Sequence, residues 1–104
     1  MKHLIVNIGH ADIEKTEKEA NAKLKNMENI ILFKTLSNGH NTQVLFAAGD
    51  NSLWGTLQIR IVEIPINDPE AAAKIIDKAT EDISVVDILT TTDINRIIVI
   101  YEAE

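Results

Sequence analysis

No cysteine occurs anywhere in this chain. That removes disulfide frameworks and thiolate-bound metals from consideration. Aromatic residues are nearly as scarce: Phe33, Phe46, Trp54 and Tyr101 are the whole set. A core must therefore be assembled from Ile, Leu and Val, and stacking platforms for nucleobases are few. Positive charge is in deficit, with 10 basic against 16 acidic residues and a formal charge of −6. Lys15, Lys18 and Lys23 are interleaved with Glu14, Glu17 and Glu19, so no basic patch offsets that balance. Extended nucleic acid and anionic membrane surfaces are disfavoured as partners. Long apolar runs are missing too; none approaches the roughly 20 residues of a membrane span. The first residues run straight into a strand pattern and lack the plan of a signal peptide. The expectation is a cytoplasmic protein.

What remains is ordinary globular composition, 45% apolar and 25% charged over 104 residues, the size of one domain spanning 1–104. Residues 3–8 read as a strand bounded by Gly9. A helix follows Asp12, a reasonable N-cap. Ile13, Ala20, Leu24 and Met27 share one face of it, with Thr16 beside them, and Glu14/Lys18 and Glu19/Lys23 pair outside. Residues 30–36 and 41–48 read as a hairpin around Asn38-Gly39, a dipeptide whose two positions tolerate positive φ. A tight turn there sets Phe33 opposite Val44 and Leu32 opposite Leu45.

After the turn at 49–53 a longer strand covers 55–64 and ends at Pro65. Asp68-Pro69-Glu70 is a strong helix start, and Ala72, Ile75, Ile76 and Ala79 supply its apolar stripe. Residues 84–91 and 96–102 form a last hairpin. The order is β-α-β-β twice, and a constant offset of 55 lays Leu4 on Ile59, Leu24 on Ala79 and Val44 on Val99. The repeat of pattern covers residues 1–50 and 55–104.

This order resembles ferredoxin-like and dimeric α+β-barrel folds. It implies an α+β domain of two βαββ units in tandem, forming a mainly antiparallel sheet with two helices on one face. Such a likeness is of fold alone and says nothing of function. Leu32, Leu45 and Ala47 oppose the parity of Phe33, Val44 and Phe46, and Ile97 to Ile100 are apolar on both parities. Strands of that kind need cover on both faces. Either a second copy supplies it, burying Leu32, Leu45 and one of Ile98 and Ile100, or the sheet curls and covers itself. A homodimer or higher assembly is the favoured expectation.

Right-handed crossovers would bring the ends of four strands to one rim. That rim collects Gly9 and His10 after the first strand, and Asn38, Gly39, His40 and Asn41 at the hairpin. Asn67, Thr91 and Asp93 come from the second half. A polar, glycine-containing edge of this kind suits a small polar metabolite or nucleotide, bound by Gly9, Asn38, Gly39, Asn41, Asn67, Thr91 and Asp93. The alternative is a metal-independent hydrolase or phosphodiesterase for a small nucleotide or cyclic oligonucleotide, with His10 and His40 as acid and base. A purely structural, self-associating role is the third reading. No cofactor is expected. Ile8-Gly9-His10-Ala11 lacks the further glycines of a dinucleotide or P-loop motif, and no histidine pair has metal-ligand spacing. Trp54 reads as a lid on one end of the core or as a subunit anchor.

Overall fold

The computed structural model describes residues 2–8, 12–38, 41–51, 54–65, 67–90 and 95–103. Eight elements follow in the expected order: β1 (Lys2–Asn7), α1 (Ile13–Lys25), β2 (Ile30–Asn38), β3 (Asn41–Ala48), β4 (Thr56–Glu63), α2 (Pro69–Thr80), β5 (Ser84–Thr90) and β6 (Arg96–Ala103). Among the described residues no helix is long and apolar enough to cross a membrane.

The helix starts are set by their caps. Asp12 accepts a hydrogen bond from the Glu14 amide at 3.1 Å, and Asp68 accepts one from the Ala71 amide at 3.0 Å, ahead of Pro69. Glu14 in the first turn of α1 and Lys23 and Lys25 in its last turn complement the helix dipole. Thr16, Ala20 and Leu24, one turn apart, form the buried stripe of α1. Beyond its C-terminus Asn29 takes a left-handed conformation, φ 60°, and its carbonyl accepts the Gly49 amide at 2.9 Å. The side-chain amide of Asn makes that conformation tolerable.

The strands form an α+β architecture of two three-stranded antiparallel sheets, ordered β1-β3-β2 and β4-β6-β5. This corrects the expectation of one sheet with both helices on one face. In each sheet the first and second strands of the unit run the same way with the third between them, as a right-handed crossover requires. The sheets face one another across a shared core of Val6, Ile8, Val44 and Phe46 from the first and Leu57, Ile59, Ile61, Ile98 and Ile100 from the second. Ala20, Leu24 and Met27 join it. Trp54 packs on its border, its ring 5.5 Å from Phe33, as a lid on the core.

The helices take different places. α2 covers the outer face of the second sheet, where Ile76 and Ala79 meet Val62, Ile97 and Val99. No residue of α2 is fully buried, and Ile75, expected in its apolar stripe, is 39% exposed. α1 runs along the free edge of β4. The Ile64 amide donates to the Asn95 carbonyl at 2.8 Å, so alternate residues back along β4 exchange bonds with β6. The amides of Ile59 and Ile61 therefore point away from the sheet. α1 meets them: Asn21 accepts from the Ile59 amide at 2.8 Å and donates to its carbonyl at 3.0 Å, while Glu17 accepts from the Ile61 amide. An amide side chain here stands in for a neighbouring strand, which blunts an edge that would otherwise pair indiscriminately.

Three local expectations change. Asn38 pairs with Asn41 and Phe33 with Phe46, two positions from the register a turn at Asn38-Gly39 would set. The two Phe rings then lie 6.4 Å apart, a favourable aromatic separation. A bulge between Ile30 and Leu32 sends Ile30 into the core and leaves Ile31 38% exposed, against the simple alternation. A second bulge falls between Val85 and Asp87, at the equivalent place in β5. The offset of 55 does not carry through β6, however: Val44 lies in the shared core and Val99 lies under α2.

Candidate functional site

The two sheets approach along the β2 and β5 edges. There the Thr35 hydroxyl donates to the Thr90 carbonyl at 3.4 Å, from near the C-terminal end of β2 to the last residue of β5. Thr90 closes β5, and Thr35 lies three residues before the end of β2. At the same end of the first sheet the Gln43 amide donates to the Asn7 side-chain carbonyl at 2.7 Å. Asn7 and Gln43 are directly opposed in the β1/β3 ladder, at the last residue of β1. The result is a polar rim built from strand ends, with Asn7, Thr35, Gln43 and Thr90 as its described members.

Of the residues expected there from the sequence, Asn38 and Asn41 form the closing pair of the β2/β3 ladder. Asn67 is exposed immediately before the cap of α2. Gly9, His10, Gly39, His40, Thr91 and Asp93 lie outside the described residues. Thr35 and Gln43 were missed from sequence because each sits inside a strand, where a polar residue reads as solvent-facing alternation. Among the described residues no group of three His, Asp or Glu side chains is gathered as a metal site would require.

Perturbed ionisation lies elsewhere. The Asp82 carboxyl, at the opposite end of β5, is held below the usual carboxylate range by its hydrogen bond with Arg60. The same hydrogen bond raises the Arg60 guanidinium further. Arg60 also donates to the Ala79 carbonyl and lies 5.5 Å from the centre of the Tyr101 ring. This arrangement ties β4 to the end of α2 and to β6. With both terminal guanidinium nitrogens engaged by the protein itself, it is a structural clamp.

Two clefts add to the surface. One of about 560 Å³ opens beside the clamp between Asp82, Ser84, Tyr101 and Glu102. A narrower groove of about 210 Å³ separates β1 from α1, with Ile5 and Asn7 on one wall and Thr16, Glu19 and Lys23 on the other. The outer face of the first sheet is the other unusual surface. Ile5 is 51% and Leu32 46% exposed there, with Leu45 half-buried between the strands' outer residues. Ile98 and Ile100, expected as candidates for the same face, are fully buried in the shared core. Comparison with protein-family models, curated proteins and solved structures found no match.

Proposed function

We propose that the chain is a small binding module for a polar metabolite or nucleotide, seated at the strand-end rim where β2 and β5 meet. The observation that carries this reading is the Thr35–Thr90 contact, which sets the end of β5 beside the last part of β2, from the other sheet. Segments that leave a rigid scaffold together are where binding residues concentrate. The side-chain amides of Asn7 and Gln43 and the hydroxyl of Thr35 give the described part of the rim neutral donors and acceptors. These suit hydroxyl, amide or phosphoryl oxygen groups of a compact ligand.

The test is a thermal-shift screen across nucleotides and polar metabolites. A ligand at 100 times its dissociation constant stabilises the folded state by about 2.7 kcal/mol. In a domain of this size that raises the melting temperature by roughly 10 °C or more. The expected result is such a shift, reduced in Thr35→Ala and Gln43→Ala. A panel in which no compound moves the melting temperature refutes the reading. In the hydrolytic version His10 and His40 act as acid and base, and turnover of a bound nucleotide disappears in the His10→Ala/His40→Ala double variant.

A second reading, self-association, is favoured by the outer face of the first sheet. The corresponding face of the second sheet lies under α2, whereas Ile5 and Leu32 are about half exposed. Association through that face predicts that Leu45→Asp dissociates the assembly, because an unpaired carboxylate in an apolar contact costs several kcal/mol.

A further inference from the structure

The two outermost strands, β1 and β4, are treated differently by the fold. Two of the amides that β4 turns outward, those of Ile59 and Ile61, are met by Asn21 and Glu17. For β1 the Ile8 amide donates to the Thr42 carbonyl at 2.8 Å, which fixes the hydrogen-bonding phase of the β1/β3 ladder. Val6 and Leu4 exchange bonds with β3, and His3, Ile5 and Asn7 turn their amides and carbonyls to the open side. The same deduction from Ile64 and Asn95 gives the outward residues of β4 that α1 is seen to cap. No described residue caps the outward groups of β1, and the groove between β1 and α1 gives access to them.

We infer that β1 pairs antiparallel with β1 of a second copy of this chain, with Ile5 on the twofold axis. The outward residues are spaced symmetrically about Ile5. His3 falls opposite the partner's Asn7, Ile5 opposite the partner's Ile5, and Asn7 opposite the partner's His3. This register forms about six interstrand hydrogen bonds and leaves none of the outward groups without a partner. It also joins the two outer faces into one. Ile5 is the most exposed large apolar side chain described and lies directly across β3's Leu45. This isologous arrangement is the usual form of a homodimer. It is independent of the ligand reading, and it places self-association on a strand edge where the outer-face reading uses a sheet face.

Light scattering on the size-exclusion peak tests it. The wild-type chain is expected at twice its monomer mass. Ile5→Pro removes an amide that takes no part in the β1/β3 ladder, so the fold tolerates it while the new ladder cannot form. Its mass should halve with an unchanged far-UV circular dichroism spectrum. Ile5→Lys, at an already exposed position, should do the same by placing two like charges on the axis. A dimer that survives both Ile5 substitutions but dissociates in Leu45→Asp overturns the edge pairing and leaves outer-face association standing. A wild-type chain that is monomeric at about 100 µM overturns both.

Discussion

Replacing Asn21 with Ala should expose how far the second sheet depends on a helix from the first half. The Asn21 side chain makes two hydrogen bonds to the Ile59 backbone, at 2.8 and 3.0 Å, and Ile59 is 1% exposed. Each hydrogen bond contributes about 1 kcal/mol net, and a buried group left without a partner costs about 1–3 kcal/mol. Ala is the better helix former by about half a kcal/mol, which offsets part of the loss. The expected net destabilisation is about 2 kcal/mol, or roughly 10 °C in melting temperature. Urea unfolding followed by far-UV circular dichroism measures it, with the slope against urea unchanged. Amide exchange gives the local readout: Ile59 should lose protection in Asn21→Ala before its neighbours paired to β6 do. Asn26→Ala is the comparison, because Asn26 makes one long exposed contact, 3.4 Å to the Ala22 carbonyl, and should change stability by less than about half a kcal/mol. If the two variants lose the same small amount, the edge cap is without energetic weight and the reasoning fails.

Asn29→Val should cost about 1–2 kcal/mol, because a β-branched residue is strained at φ 60°, whereas Asn29→Gly should be close to neutral; urea midpoints distinguish them. Phe46→Ala removes a fully buried ring from the shared core and should cost about 3–5 kcal/mol, read from the unfolding transition of Trp54 fluorescence. The Asp82–Arg60 pair makes a pH-dependent contribution of definite sign. The Asp82 pKa is lower in the folded state, so the pair's contribution is complete above the ordinary carboxylate value and lost as pH falls through the folded-state value. Stability curves of wild type and Asp82→Asn should therefore converge below about pH 4 and run parallel above it. Because Asp82 is on the surface, 0.5 M salt should narrow the gap at neutral pH.

The elements were legible because their signals are local. Asp12 and Asp68 cap the helices that follow them, and the strands fall where apolar alternation places them. The assembly of those elements was less so. Nothing in the alternation of β2 and β5 says whether the two strands join in one ladder or meet where Thr35 bonds to Thr90. A continuous sheet is the simpler reading of the same pattern. The side chains that cap β4 were hidden for a related reason. Asn21 and Glu17 lie on a helix rich in charge, where a polar residue is normally solvated, and their partners are 38 and 44 residues away. The bulge at Ile31 moved Ile30 inward because one extra residue reverses parity on one side of it only. Of the rim, the contribution of the strand ends followed from crossover handedness. Thr35 and Gln43 became visible only once the sheets were placed.

The capping of β4 by α1 has a bearing on synthesis. A ribosome adding about 5–20 residues per second completes α1 some 2–6 seconds before β4 emerges. Throughout that interval Ala20 and Leu24 have no second sheet to pack against, and the first three strands can close only one wall of the core. The nascent first half therefore presents an apolar helix face, a natural ligand for a chaperone, until the partner strand arrives. Supplying β4 onward as a separate polypeptide should rescue a truncated first half in trans, since the helix and the strand it caps reach each other through space with no need of a continuous backbone.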